Sequence, residues 1–140
     1  EINTNMPEFV ISKLSDALNG KGKCLKDSKI LILGIAYKKD IDDLRESPAL
    51  EIIKLLREKE SKVFYNDPFI PRIPKLRKYQ LNLKSSALTP KLLRTMDAVV
   101  IITNHSSYDY EWIVKQANLV VDTRNATRNV KTQRHKIVKA

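Results

Sequence analysis

The segment GIAYKKDIDDLRESPA, residues 34–49, gathers the side chains of this 140-residue sequence best suited to holding an anion. Lys38, Lys39 and Arg45 supply positive charge, and Tyr37 adds a flat apolar face beside them. Ser47 and Pro48 then open a helix, and a helix start presents free N–H groups and the positive end of a dipole. Another cation, Arg124, stands in DTRN, residues 122–125. Its planar fork can grip a phosphate or a sugar oxygen through paired hydrogen bonds. Gly34 is the only glycine of the first segment, so neither a GxGxxG fingerprint nor a P-loop is present, and side chains must do the binding. The same cations have a second outlet. Asp40, Asp42, Asp43 and Glu46 lie among them and can absorb Lys38 and Arg45 into surface ion pairs, which are common and individually weak.

Three other reactive residues invite scrutiny. Asp67 sits where open α/β domains keep an acid for ribose hydroxyls, but Pro68 beside it favours a turn. His105 in TNHSSYDY has no second metal-type residue at a suitable spacing, so it reads as a turn or capping residue. Cys24 is the only cysteine, which excludes an internal disulfide and a multi-cysteine zinc site. It lies in the Lys-rich GKGKCLKDSK with no base beside it and reads as an incidental connector thiol. Neither a catalytic residue nor a metal site is expected.

The elements that must position these groups follow from hydrophobic spacing. Phe9, Val10, Leu14, Ala17 and Leu18 predict a helix over residues 6–18, with Thr4 or Asn5 as cap and Pro7 in its first turn. KILILG, residues 29–34, predicts a strand buried on both faces, as in a parallel sheet. Ser47 and Pro48 start the next helix, whose stripe is Ala49, Ile52, Ile53 and Leu56. KVFYN (62–66), AVVIIT (98–103) and residues 119–122 predict further strands. Residues 89–96 and 108–117 predict helices, the first opened by Thr89-Pro90 and the second capped by Ser106 or Ser107, with 68–74 irregular. The expected class is α/β: a Rossmann-like open, mostly parallel sheet with helices on both faces. In such sheets ligands bind beyond the carboxyl ends of the strands, where residues 35–47, Asp67 and residues 122–125 should meet. Residues 125–140 are basic and weakly patterned, and read as a surface arm or a partly disordered tail.

Length and 42% hydrophobic residues suit one domain with a sizeable core. No apolar run nears the roughly 20 residues needed to span a bilayer, and residues 1–10 lack a signal-peptide pattern. A cytoplasmic location and no membrane partner are therefore expected. The net charge of +10 attracts phosphate of any kind, yet it is spread over residues 21–29, 75–84 and 124–139. No zinc-finger spacing, RNP-like aromatic motif or heptad accompanies it, so no nucleic-acid partner is expected; a basic nucleic-acid or protein interaction module reusing the fold is the alternative.

GIAYKKDIDDLRESPALEII, then YNDP (65–68), DAVVIITNH (97–105) and DTRN resemble, in order and spacing, the C-terminal domain of the UDP-glucose/GDP-mannose dehydrogenase family. The opening NMPEFVISKL is similar to the end of that family's central helix, and this form together with DTRN resembles the bacterial UDP-N-acetylglucosamine and UDP-N-acetylmannosamine 6-dehydrogenases more than the UDP-glucose enzymes. The resemblance implies an NAD-dependent, four-electron oxidation of a sugar C6 alcohol to a carboxylate, for surface polysaccharide synthesis. It also implies that residues 1–22 end a central dimerisation helix and that 23–140 form the nucleotide-sugar-binding domain. The family's catalytic cysteine and Gly-rich NAD domain fall in parts that this chain lacks, so the chain alone should not turn over substrate. Carried over by motif, Tyr37, Lys38 and Arg124 hold the UDP-sugar, and Arg45 reaches NAD bound mainly by the other domain. A homodimer through the central helix is implied as well.

Overall fold

The computed structural model describes the backbone from Ile2 and the side chains from Asn5 through Ala140. Helix α1 (Ile2–Asn19) buries Val10, Ile11, Leu14 and Leu18 along one stripe. It begins earlier than its apolar spacing predicts, so Asn5 lies inside the helix and is not its cap; the Thr4 side chain falls outside the described residues. The chain leaves α1 through Gly22, whose φ of +74° is the left-handed turn that glycine takes at little cost.

Strand β1 (Lys29–Leu33) follows, then a long loop and helix α2 (Pro48–Glu58). Ser47 caps α2 by accepting from the Ala49 N–H, and Pro48 occupies the first turn, where its missing N–H costs nothing. Strand β2 (Lys62–Asn66), helix α3 (Pro90–Thr95), strand β3 (Ala98–Ile101), helix α4 (Tyr110–Gln116) and strand β4 (Val120–Asp122) complete the predicted alternation. Thr89 caps α3 through the Leu92 N–H at 3.0 Å. The cap of α4 is Asp109, bonded to the Trp112 N–H at 3.1 Å, and not Ser106 or Ser107. Ser106 is drawn away by Asp40, to which it donates through both its backbone N–H and its hydroxyl.

The basic tail is not an arm. A short 3-10 turn (Arg134–Lys136) leads into strand β5 (Ile137–Lys139), which pairs in parallel with β4. The five strands run in the order β2-β1-β3-β4-β5, all parallel. Alternation along β1 divides the core: Ile30 and Ile32 face α1 and α2, while Leu31 and Leu33 face α3 and α4. Helices thus cover both faces. Along β2, the returning chain occupies the outer side, where the Ser86 N–H donates to the Tyr65 carbonyl at 2.8 Å and the Asn66 amide donates to the Ser86 carbonyl.

This order makes β1 the place where the connections reverse direction, β2 lying on one side and β3 on the other. Crevices open at such points beyond the strand ends. Gly34 terminates β1 there with φ +79°, and a Cβ at this position would lie 2.3 Å from the Thr103 carbonyl oxygen. Only glycine lets the ends of β1 and β3 approach so closely.

Candidate functional site

The loop from Gly34 to Ser47 is fastened at its base by a buried carboxylate. Asp67, at the end of β2, accepts from the N–H groups of Ile35 (2.8 Å), Ala36 (3.2 Å) and Phe69 (2.8 Å). It also receives the Nε2 of the fully buried His105 at 2.9 Å. Burial alone would raise the Asp67 pKa, but the bonds from His105, Ile35 and Phe69 prevail and hold it below the usual carboxylate value. The Nδ1 of His105 accepts from the Asp40 N–H at 2.7 Å, so the ring must be the neutral tautomer with its proton on Nε2. The turns expected at Asp67 and His105 are present, with Ile70 N–H bonded to the Asp67 carbonyl and Tyr108 N–H to the His105 carbonyl, but the two side chains do more than that. Together they tie the loops after β1, β2 and β3 into one unit, with Phe69 and Tyr108 packed against the imidazole at ring-centroid distances of 4.9 and 5.8 Å.

Further bonds set the loop's path. The Thr103 hydroxyl donates to the Ala36 carbonyl and the Ser47 hydroxyl to the Ile35 carbonyl, each at 2.6 Å. Tyr37 N–H reaches the Asp43 carbonyl at 2.7 Å, closing the loop on itself. Asp40 (φ +63°) and Glu46 (φ +61°) sit in left-handed conformations, a strain that these surrounding bonds sustain.

Arg124 is positioned by an analogous device. Asp122 ends β4 and accepts from the N–H groups of Arg124 (3.0 Å), Ala126 (3.1 Å) and Thr127 (2.8 Å) and from the Thr127 hydroxyl (2.5 Å). As at Asp67, burial opposes the charge and the hydrogen bonds, led by Thr127, outweigh it, so the Asp122 carboxyl is held below its ordinary pKa.

These supports bring Tyr37, Lys38 and Arg124 to one cleft of about 680 Å³, together with Glu46, Ser47 and Pro48 at the entrance of α2. Tyr37 is 42% exposed, and the Lys38 ammonium stands 5.7 Å from its ring centroid, within cation–π range. Among the described residues neither Lys38 nor Arg124 is paired with a carboxylate. Arg45 behaves otherwise. It lies outside this cleft and grips Asp43 with both Nε (3.1 Å) and Nη2 (2.9 Å), so the ion-pair outlet is realised for Arg45 and not for Lys38.

The cleft also holds residues that spacing did not single out: Met6 and Pro7 from α1, Glu51 from α2, and Lys78 and Tyr79 from the β2–α3 connection. Lys78 was legible only as one charge in the basic run 75–84. What brings it in is a turn, with Leu76 N–H bonded to the Tyr79 carbonyl at 3.0 Å, inside an excursion pinned by an antiparallel bridge between Arg72 and Lys84. Arg57 of α2 adds a bond to the Leu81 carbonyl at 2.7 Å. No group of three metal-ligating side chains occurs among the described residues, and none of their helices is long and apolar enough to cross a membrane.

A parallel α/β sheet with a cationic cleft beyond its carboxyl edge defines a nucleotide-type binding domain. The family is more specific. Residues 31–129 match the model described as the UDP-glucose/GDP-mannose dehydrogenase family, UDP binding domain, and the chain belongs to this family. It is 38% identical over 122 residues to a UDP-N-acetyl-D-mannosamine dehydrogenase of Campylobacter jejuni, covering 86% of this chain and 28% of that protein. A UDP-glucose 6-dehydrogenase of Rickettsia prowazekii is 33% identical over 129 residues, covering 88% and 29%. Among solved structures, a UDP-D-ManNAc dehydrogenase from Pyrococcus horikoshii superposes with a TM-score of 0.75 at 27% identity, over 99% of this chain and 31% of that one. The chain therefore spans under a third of the relatives it matches.

Proposed function

We propose that this chain is the nucleotide-sugar-binding domain of an NAD-dependent nucleotide-sugar 6-dehydrogenase, with a UDP-N-acetylhexosamine as substrate. The observation that carries the reading is the convergence of Tyr37, Lys38 and Arg124, from loops 86 residues apart in sequence, on one cleft where the two cations lack carboxylate partners. A diphosphate supplies the missing negative charge, and the exposed Tyr37 ring supplies an apolar face for the rest of the ligand. Binding energy from the nucleotide would position the sugar C6 for oxidation by groups outside this chain. The names of the relatives favour the N-acetylmannosamine nucleotide, with UDP-glucose as the second reading.

NAD fits this chain only in part. Arg45 is exposed, precedes the cleft-lining Glu46 on the same loop and can offer its guanidinium to a phosphate, but no glycine-rich turn accompanies it. NAD supplies hydride acceptance when bound, and in this reading another domain holds it. The isolated chain is then inactive, the enzyme is cytoplasmic and makes precursors of surface polysaccharide, and α1 contributes to a homodimer. Phe9, 51% exposed on α1, supports the last point.

Calorimetric titration of the chain with UDP tests the reading. Weak binding is expected, reduced about 10-fold by Lys38→Ala and by Arg124→Ala, as for loss of one charge-assisted hydrogen bond. Absence of binding at millimolar UDP, with a native circular dichroism spectrum, would sink it.

A further inference from the structure

Another part of the cleft lining has its own chemistry. Lys78 and Tyr79 come from the pinned excursion between β2 and α3, and Glu51 from the first turn of α2. Lys78 has no carboxylate partner among the described residues, like Lys38 and Arg124. The Tyr79 hydroxyl donates to Glu51 Oε1 at 2.7 Å, and the Glu51 carboxylate makes no other hydrogen bond among the described residues. Burial, followed by the Glu51 bond, pushes the Tyr79 pKa up to about 12, so its hydroxyl keeps its proton and its donor role. The bond fixes the carboxylate at the cleft and leaves Oε2 free to accept.

A carboxylate among cations is a poor choice for binding a diphosphate, since it repels one. It is a good acceptor for neutral donors, and a nucleoside offers ribose hydroxyls and a ring N–H. Resting on the nucleotide-sugar reading above, we infer that the wall formed by Lys78, Tyr79 and Glu51 sets ligand specificity: Lys78 is a third cation for the diphosphate, and Glu51, oriented by Tyr79, accepts a hydrogen bond from the nucleoside. The opposed charges divide the labour. Cations attract any di- or pyrophosphate, whereas Glu51 rewards only a ligand that carries a donor to it. Leu76, Tyr79 and Leu83, packed on the core beneath, hold the wall in place before ligand arrives.

The test compares UDP with inorganic pyrophosphate, titrated into the whole chain and its variants. Lys78→Ala should weaken both ligands about 10-fold. Glu51→Gln should weaken UDP by a similar factor while leaving pyrophosphate unchanged or tighter, because a repelling charge is gone. Tyr79→Phe should follow Glu51→Gln in direction with a smaller effect. Thermal melts of each variant keep folding separate from binding. Equal changes for both ligands in Glu51→Gln, or no change for either in Lys78→Ala, would overturn the inference. If those results appear while Lys38→Ala and Arg124→Ala still weaken UDP, the nucleotide-sugar reading survives and this wall falls; if wild-type chain binds no UDP, both fall.

Discussion

Lys38, Lys78 and Arg124 are no more cationic than Arg134, Lys136 and Lys139, yet the two sets direct their charge in opposite ways. The Arg134 guanidinium donates to the carbonyls of Thr127 (2.9 Å) and Val130 (2.7 Å). Lys136 donates to the carbonyls of Val114 (3.1 Å) and Lys115 (3.0 Å), satisfying the open C-terminal end of α4, where a positive charge also opposes the helix dipole. Lys139 donates to the Asn125 side chain. The tail's cations are thus folded into the protein, while those of the cleft have no carboxylate partner among the described residues. A net charge of +10 says how much positive charge a chain carries, and only the hydrogen bonds say how much of it is available to a partner.

The contrast can be broken at its supports first. Asp67→Ala should have the largest effect, destabilising the fold by on the order of 3 kcal/mol, because three N–H groups and His105 lose a charged acceptor. Urea unfolding reads this out; a variant as stable as wild type would mean that the loop after β1 does not depend on the carboxylate. Acid acts on the same supports more gently. Asp67 and Asp122 both titrate below the ordinary 3.8 when folded, so their contribution is complete above that value. It fades as pH falls through the lower folded values, since the unfolded chain takes up the protons first. Thermal melts should be flat in this respect from pH 7 to about 5 and fall below about pH 4, with Asp122→Asn flattening the acid limb.

Smaller changes sharpen the comparison itself. Arg134→Met and Lys136→Met should each cost about 1 kcal/mol of stability through lost bonds to carbonyls, while UDP affinity stays put. Lys38→Ala should do the reverse, leaving the melting temperature unmoved. A tail variant that loses affinity at constant stability would erase the distinction. Smallest of all, Arg45→Ala removes only an exposed pair with Asp43 and should leave both the unfolding midpoint and UDP binding unchanged.

Much of this architecture could be read from the residues. Four apolar runs gave four parallel strands, and Ser47-Pro48 and Thr89-Pro90 marked two helix starts, because burial and capping are local in sequence. The segments 34–49 and DTRN were expected to meet beyond the strand ends, and Tyr37, Lys38 and Arg124 do line one cleft there. Other features were illegible for one physical reason: their partners are distant. β5 is three residues long, half-buried, and exists through pairing with β4. His105 is buried only because Asp67, 38 residues earlier, meets it. Ser106 lost its capping role to Asp40 across 66 positions, and Lys78 enters the cleft on an excursion whose ends meet at Arg72 and Lys84.

The returning chain along β2 bears on how this domain keeps to itself. An outer strand with free amides and carbonyls is a template on which another molecule can lay a strand of its own. Here the Tyr65 carbonyl is already taken by the Ser86 N–H, and the Asp67 N–H donates to the Ser85 hydroxyl at 3.0 Å. A foreign strand arriving at that margin finds the latter half of β2 occupied and would first have to peel away the connection to α3. The segment that presents Lys78 to the cleft is continuous with the one that shields this edge, so loosening it should expose the domain to aggregation as well as to loss of ligand.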